Sequence, residues 1–250
     1  MKDIIIAAGY ATRLYPLTKN FPKPLLKIGS TSILGRLIAD IDTIDDISSH
    51  VIVTNHKFAT FFNDWVAHAH TCKPIHIIDD GTTDNDNRLG AVRDLLLAID
   101  RCAVDEDILV AAADNVLDFS LAGFARYAAQ KGTSAIMCHY EPETYKLQRT
   151  GVIAVDSEMR VLAMQEKPSE PVSHYAVPPF YIYKKSDLPL VKECMEHGCG
   201  NDAPGNLARY LCGKTVIHAY EMPGKRYDIG SIDSYHEAQR LFGQDDTTEK

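Results

Sequence analysis

Small and basic residues that could bind an anionic ligand are concentrated in the loop after the first apolar run of the chain. Ala8 and Gly9 end the run DIIIAAG, and Arg13 and Lys23 stand further along a loop that also holds three prolines. Small residues let backbone N–H groups approach an anion closely, and basic side chains add positive charge. The loop predicts a polyphosphate site, and as bare residues it fits a basic surface loop equally well.

The spacing of this loop excludes two widespread nucleotide-binding motifs. Residues 7–26 contain neither the GxGxxG pattern of a dinucleotide-binding turn nor the GK followed by Ser or Thr that marks a P-loop. Any phosphate site here therefore belongs to another class.

Short apolar runs alternate with helical patterns around this loop. Such alternation is typical of βαβ units, in which helices connect the strands of a parallel sheet. Asp114 stands at the end of a central strand, where open α/β sheets bind their ligands. The predicted strands are 3–8, 50–55, 74–79 and 107–115, and the predicted helices are 32–41, 57–69 and 90–102.

The second half of the chain is more mixed. Its strands are predicted at 133–140, 150–156, 161–168, 176–185 and 214–222, and its helices at 187–197, 204–212 and near 231–242. We expect an α/β fold, a Rossmann-like mixed sheet flanked by helices, in a single compact domain. The boundary between halves is predicted near 120–130, and the polar tail 243–250 is expected to fray.

Charge and composition limit the classes of partner. The 250 residues contain 26 Lys plus Arg and 34 Asp plus Glu, a net charge of −8, which argues against nucleic acid. We find neither a signal peptide nor a run long enough to span a membrane, so we expect a cytoplasmic protein with no membrane partner and with reduced thiols. The six scattered cysteines predict no disulfide framework, and we read Cys194, His197 and Cys199 as a helix end and turn rather than a zinc site.

Residues 7–26 closely resemble the signature of the sugar-phosphate nucleotidyltransferases, the NDP-sugar pyrophosphorylases, in which a Gly-rich turn precedes Thr-Arg and then Pro-Lys-Pro. Further landmarks recur in the order of that family across nearly the whole chain. They are Leu89-Gly90-Ala91, Asp114, Gly151, Glu166-Lys167-Pro168 and Tyr227-Asp228-Ile229-Gly230.

This resemblance implies a nucleotidyltransferase fold of the GT-A-like type and a reaction of the EC 2.7.7 type. A phosphate oxygen of a sugar 1-phosphate would attack the α-phosphorus of a nucleoside triphosphate, dTTP or UTP being favoured, and pyrophosphate would leave. It also implies one domain over 1–250, with a nucleotide-binding half at 1–125 and an acceptor-binding half at 126–242, and Mg²⁺ as cofactor. A homo-oligomer is left open.

The resemblance also implies a role for each matching residue. Arg13 would meet the triphosphate, Lys23 the departing pyrophosphate and Lys167 the incoming phosphate. The implied nucleotide-binding residues are Ala8, Gly9, Arg13, Lys23, Gly90 and Asp114, the acceptor-binding residues are Gly151, Glu166, Lys167 and Tyr181, and the metal carboxylates are Asp114 and Asp228.

Some features depart from the family pattern and keep alternatives open. Ala11 replaces the second glycine of the turn, and Pro178-Pro179 alters the acceptor region. A cytidylyltransferase that uses CTP and a non-sugar phosphate or phosphonate, such as phosphocholine, is the alternative within the class, although Trp65 fits a helix core better than an aromatic cage. A glycosyltransferase, suggested by Asp84-Asn85-Asp86, and a non-catalytic nucleotide-sugar sensor are more remote.

Overall fold

A computed structural model describes residues 1–243, so the predicted frayed tail beyond Gly243 lies outside the described residues. The strands are Lys2–Ile6 (β1), Lys27–Ile28 (β2), Thr31–Ser32 (β3), Ser49–Thr54 (β4), Ile75–Asp79 (β5), Ile108–Ala112 (β6), Asn115–Leu117 (β7), Ser134–Tyr140 (β8), Gly151–Val155 (β9), Val161–Glu166 (β10), Tyr175–Val177 (β11), Phe180–Tyr183 (β12), Ile217–Glu221 (β13) and Arg226–Asp228 (β14). The helices are Ile33–Ile41 (α1), Ala59–Val66 (α2), Ala91–Arg101 (α3), Ala122–Lys131 (α4), Thr144–Leu147 (α5), Pro189–Glu196 (α6), Pro204–Cys212 (α7) and Ile232–Phe242 (α8). None of these helices is long and apolar enough to cross a membrane.

One ten-stranded sheet runs through both halves of the chain in the order β10-β9-β11-β8-β12-β6-β1-β4-β5, and β13 also pairs with β8. Strands β6, β1, β4 and β5 are parallel, whereas β12 is antiparallel to both β6 and β8. Strand β12 therefore joins the second half of the chain to the centre of the first. The expected mixed α/β sheet is confirmed.

Helices cover both faces of this sheet. Ile4 and Val110 belong to an apolar core with residues of α3, α6 and α7, whereas Ile5 and Leu109 belong to a second core with residues of α1, α2 and α4. The side chains of successive strand residues point to opposite faces, so each buried strand contributes to both cores. The carboxyl ends of β1 and β6 are thereby held side by side at one edge of the sheet.

The prolines divide one predicted strand into two. The predicted strand 176–185 is observed as β11 and β12, with Pro178 and Pro179 between them. Proline has no N–H to donate to a ladder, so the pairing cannot continue through this dipeptide. The break places Pro179 in the wall of the candidate site described below.

The structure adds one helix that the sequence did not predict, and it shortens one predicted strand. Helix α4 occupies the region where the sequence predicted only a soft boundary, and its Phe124 is fully buried. Strand β6 ends at Ala112 rather than continuing to 115, so Asp114 lies in the turn between β6 and β7. Asp114 is therefore held by a turn at the sheet edge rather than by the strand itself.

The expectation of reduced thiols is wrong for one pair of cysteines. Cys194 and Cys199 form a disulfide across the turn that ends α6, with their Cα atoms 5.5 Å apart. The chain folds back there because Gly198 has a φ of 67° and the Cys199 N–H donates to the Cys194 carbonyl at 3.1 Å. The free cysteines of the described residues are Cys72, Cys102, Cys138 and Cys212.

Helix α3 carries an unusual buried carboxyl in its first turn. Asp94 is 3% exposed, and its Oδ1 has no hydrogen-bond partner within residues 1–243. Burial, with a smaller contribution from the charge of Asp80, raises the pKa of Asp94 from about 3.8 to about 7. Between these two pH values the folded chain binds more protons than the unfolded chain, so this group makes stability fall as the pH rises.

Replacing Asp94 with Asn should remove this pH dependence. We expect Asp94→Asn to raise the free energy of unfolding at pH 8 by up to about 4 kcal/mol and to change it little at pH 4. Urea unfolding at several pH values measures the difference, with Asp100→Asn on the exposed side of the same helix as control. A gain that is the same at pH 4 and pH 8 would contradict the proposed cause.

Candidate active site

The loop after β1 leaves open space above the backbone of Gly9. A Cβ built at Gly9 would meet no atom within 4 Å, and Gly9 is not among the residues with positive φ. Neither packing within the described residues nor backbone strain therefore requires glycine there. The open space leaves room for a ligand to approach the Gly9 N–H closely.

Ala11, which stands where the resemblance to the family predicts a second glycine, adopts the left-handed conformation with φ 48°. Its carbonyl accepts hydrogen bonds from the Thr18 hydroxyl at 2.8 Å and from the Leu14 N–H at 3.0 Å. These bonds hold the turn that leads into the 3-10 turn Thr12–Leu14, which presents Arg13. The turn keeps a geometry that favours glycine although the residue is alanine.

Two adjoining cavities lie at the sheet edge beside this loop. The inner cavity has a volume of about 370 Å³ and lies over the carboxyl ends of β1 and β6. The outer cavity has a volume of about 710 Å³ and lies over strands of the second half. The residues that line both cavities are Arg13, Asp114, Pro179, Tyr181 and Pro204.

Both oxygens of Asp114 have partners at the junction of these cavities. Lys23 Nζ forms an ion pair with Asp114 Oδ2 at 3.0 Å, and Asn115 Nδ2 donates to Asp114 Oδ1 at 2.7 Å. The Lys23 side chain is only 8% exposed, so this pair is shielded from solvent on the lysine side. No local sequence pattern predicts this contact, because Lys23 and Asp114 are 91 residues apart in the chain.

The pairing of strands β7 and β14 places Asp228 near Asp114. Strand β14 is antiparallel to β7, with Asp228 opposite Asn115, and the Ile229 N–H donates to the Asp114 carbonyl at 3.0 Å. Asp228 is exposed and lines the outer cavity. The structure thus brings together the two carboxylates that the sequence analysis paired.

The donor set of these two residues suits Mg²⁺ that is also bound to phosphate. Within residues 1–243 no group of three or more His, Cys, Asp or Glu side chains could enclose a metal ion. Mg²⁺ usually takes one or two carboxylates and completes its shell with water and substrate phosphate oxygens. Asp114 and Asp228 fit that arrangement.

The carboxylate of Glu166 lies between two glycines in the wall of the outer cavity. A Cβ on Gly205 would collide with Glu166 Oε2, and a Cβ on Gly151 would lie 3.4 Å from the same oxygen. Burial raises the pKa of Glu166, although Lys167 and Arg209 oppose this effect. Gly205 belongs to the segment Asp202-Ala203-Pro204-Gly205-Asn206, whose unusual sequence predicts a part of the acceptor pocket, and it lines the outer cavity.

Lys167 lies in the outer cavity on a strained backbone. It has a φ of 49°, and its N–H donates to the Thr150 carbonyl at 3.0 Å. Left-handed conformations are costly for a residue other than glycine, and such strain tends to occur at functional sites. The residue is exposed, which leaves its ammonium group accessible to a ligand.

Tyr181 forms part of the wall between the two cavities. It is 3% exposed and its ring stacks on that of Tyr183 with centroids 5.7 Å apart. Burial raises the pKa of Tyr181, so the phenol stays protonated at neutral pH. The ring is a fixed, uncharged surface beside the junction.

Two predicted nucleotide-binding residues line neither cavity. The Ala8 carbonyl accepts a hydrogen bond from Asn55 Nδ2 at 2.9 Å, and Gly90, with φ 92°, packs against the backbone of Asn201. A side chain at Gly90 would be strained and would clash, which is a structural reason for glycine. A ligand role for Ala8 and Gly90 stays a prediction, and Ala91 is the neighbour that reaches the inner cavity.

The segment Asp84-Asn85-Asp86 has a local structural role. The side chain of Asp84 accepts hydrogen bonds from the backbone N–H groups of Asp86 and Asn87 and caps the 3-10 turn Asn85–Asn87. None of these residues lines either cavity. The arrangement therefore lends no support to a glycosyltransferase metal motif.

The chain belongs to the nucleotidyl transferase family, because the family model described as "Nucleotidyl transferase" matches residues 2–245. It is 26% identical to the bifunctional protein GlmU of Methanocaldococcus jannaschii over 92% of its own length. It is also 23% identical to the UTP–glucose-1-phosphate uridylyltransferase AglF of Haloferax volcanii, covering 100% of this chain and 99% of AglF. The chain spans only 51% of the GlmU protein.

Solved structures share the fold. The chain matches UDP-glucose pyrophosphorylase complexed with UDP-glucose with a TM-score of 0.81 and 22% identity, covering 96% of this chain and 97% of that one. It matches the UTP-bound UGPase from Acinetobacter baumannii with a TM-score of 0.80 and 16% identity, covering 97% and 93%. At these identities the likeness shows a common fold.

Relieving the left-handed strain at Ala11 should stabilise the protein. We expect Ala11→Gly to raise the free energy of unfolding by about 1 kcal/mol. Ala103, with φ 45° and outside both cavities, is the matched control, and Ala103→Gly should give a similar gain. Thermal unfolding measures both, and a loss of stability in Ala11→Gly alone would contradict the strain.

Adding a methyl group at Gly205 should displace the Glu166 carboxylate. We expect Gly205→Ala to raise the KM for the acceptor roughly tenfold, through loss of about one hydrogen bond to a charged group, and to leave the KM for the nucleotide unchanged. Gly213→Ala at the other end of α7 is the control, because its Cβ would make only an ordinary contact of 3.6 Å. Equal kinetic effects of the two variants would contradict this role for Glu166.

Proposed function

We propose that the chain is a nucleotidyltransferase that joins a nucleoside triphosphate to a sugar 1-phosphate and releases pyrophosphate. The observation that carries this proposal is the wall shared by the two cavities, which contains both Arg13 and Asp114. In-line transfer needs a triphosphate and an attacking phosphate on opposite sides of one point, with charge neutralised between them. Two cavities that meet at a cation and a carboxylate provide that arrangement.

The donor occupies the inner cavity in this proposal. The open backbone at Gly9 accepts the phosphate chain, and Arg13 adds a guanidinium suited to phosphate oxygens. Lys23 is held at the same junction by Asp114 and lies where it can neutralise the departing pyrophosphate. Membership of the family and the complete pair of carboxylates support turnover rather than binding alone.

The acceptor occupies the outer cavity. Lys167 binds and orients the incoming phosphate, and Glu166 accepts hydrogen bonds from hydroxyl groups of the sugar. The attacking phosphate oxygen is already ionised at neutral pH, so the chain needs no general base. Asp114 and Asp228 would hold Mg²⁺, which supplies charge neutralisation between the two phosphate groups.

We favour UTP or dTTP as donor and a sugar 1-phosphate as acceptor. The relative that this chain covers almost completely is named a UTP–glucose-1-phosphate uridylyltransferase. Trp65, the one tryptophan of the chain, packs against the core beneath α1 and α2, away from both cavities. A phosphocholine cage built on Trp65 therefore has no support.

Pyrophosphate release tests the proposal. The assay crosses ATP, GTP, CTP, UTP and dTTP with glucose 1-phosphate, other hexose 1-phosphates, phosphocholine and an aminoalkylphosphonate, in the presence of Mg²⁺. We expect release with UTP or dTTP and one hexose 1-phosphate. We expect Asp114→Asn and Asp228→Asn each to lower kcat by about 100-fold or more, because each removes charge at the reacting phosphates.

Asp86→Asn is the control for these variants, since Asp86 lies in the capped turn outside both cavities. It should leave turnover near the wild-type rate. Wild-type turnover by Asp114→Asn, or release only with CTP and a non-sugar phosphate, would overturn the proposed reaction or its substrate class respectively.

A further inference from the structure

The outer cavity is lined by five basic side chains, which is more than one phosphate requires, and by the five carboxylates of Asp114, Glu141, Glu166, Asp202 and Asp228. Its basic side chains are Arg13, Lys146, Arg149, Lys167 and Arg226. Lys146 is already paired with Glu143 and lies 3.8 Å from Glu141. The other four basic residues form no ion pair within residues 1–243, and they are the ones free to bind an anionic ligand.

Arg226 reaches this cavity because successive side chains of strand β14 point to opposite faces of the strand. Side chains two residues apart in a strand lie on the same face, so Arg226 and Asp228 both face the cavity. Tyr227 points the other way, and its ring contacts that of Phe242 with centroids 5.0 Å apart. The residue beside the metal carboxylate in the cavity is therefore an arginine.

The surroundings hold the Arg226 guanidinium in place without neutralising it. Its Nη1 donates to Asn115 Oδ1 at 2.7 Å, and no carboxylate in the described part of the chain pairs with it. His139, in the same wall, has a buried Nδ1 with no hydrogen-bond partner among the described residues. Burial, together with the charge of Arg226, lowers the pKa of His139, so the imidazole stays neutral at pH 7.

The proposed function accounts for two of the four free cations. Arg13 faces the triphosphate and Lys167 faces the reacting phosphate of the acceptor. A hexose 1-phosphate has no other charged group, and its hydroxyls need only neutral partners or carboxylates such as Glu166. Arg149 and Arg226 are then left facing the cavity with no anion to bind.

We propose that the acceptor carries a second anionic group, a carboxylate or a second phosphate, which Arg226 and Arg149 bind. The inference rests on the proposed function, because it identifies the outer cavity as the acceptor site. Arginine suits this role, since its planar guanidinium binds carboxylate and phosphate oxygens in pairs. The same charges repel the cationic head group of an acceptor such as phosphocholine.

Calorimetric binding to the full chain with Mg²⁺ tests this inference without requiring turnover. The probes are glucose 1-phosphate, glucuronate 1-phosphate, which adds a carboxylate, and glucose 1,6-bisphosphate, which adds a phosphate. We expect at least one of the doubly anionic probes to bind about tenfold or more tightly than glucose 1-phosphate. Preference for one of the two identifies which anion the cavity takes.

Variants that remove one positive charge test whether Arg226 and Arg149 cause the preference for doubly anionic probes. Arg226→Gln should reduce the preference for doubly anionic probes to about twofold or less. Arg149→Gln should reduce this preference partly, and it should not affect folding because the Arg149 side chain is exposed. Lys225→Gln removes the same charge next to Arg226 but outside the cavity, and it should keep the full preference. Melting temperatures near the wild-type value show that each variant is folded.

The outcomes separate this inference from the proposed function. Equal binding of the three probes, or equal weakening of all three by Arg226→Gln, overturns the second anion, and equal weakening would assign Arg226 to the reacting phosphate instead. A preference for two anions that Arg226→Gln removes supports the inference. Such a preference without pyrophosphate release from any substrate pair would overturn the proposed reaction and leave the anion site standing.

Discussion

The pairing of two three-residue strands, β7 and β14, is the constraint on which the candidate site depends, because it places Asp228 beside Asp114. A ladder this short is marginal by itself. Val116 on β7 and Ile229 just after β14 are buried in a third apolar core that also contains residues of α1 and α8. Burying two such side chains contributes roughly 3–6 kcal/mol, so apolar packing behind the ladder holds the two carboxylates together in front of it.

The segment 201–205 connects the wall of the inner cavity to the wall of the outer cavity. The Asn201 carbonyl accepts a hydrogen bond from the Val92 N–H of α3 at 3.0 Å, and Gly205 packs on Glu166. The ion pair between Arg88 and Asp202 at 3.0 Å is exposed and contributes less than about 1 kcal/mol. The Asn201 backbone also lies so close to Gly90 that a side chain there would clash with it, which explains glycine at position 90 without reference to a ligand.

The sequence predicts the fold better than it predicts the interior of the site. The buried strands and amphipathic helices follow from local apolar patterns, which did not predict the break at Pro178-Pro179, the helix α4 or the end of β6 at Ala112. The landmarks at Asp114 and Asp228 follow from their motifs. Arg226 has no motif to mark it, and its position depends on β14 pairing with a strand more than a hundred residues earlier, which no local pattern encodes. The Lys23 to Asp114 ion pair depends on tertiary structure in the same way.

Two residues other than glycine, Ala11 and Lys167, hold left-handed backbones on opposite sides of the junction between the cavities. Each costs about 1–2 kcal/mol, a substantial part of the 5–15 kcal/mol by which a domain is usually stable. At Ala11 the strain is fixed by two hydrogen bonds to its carbonyl, and at Lys167 by one from its N–H. These bonds fix the backbones that carry Arg13 and Lys167, whose side chains are exposed in the cavity walls. A ligand that binds either residue then has to order only the side chain and not the backbone, which lowers the ordering cost of binding.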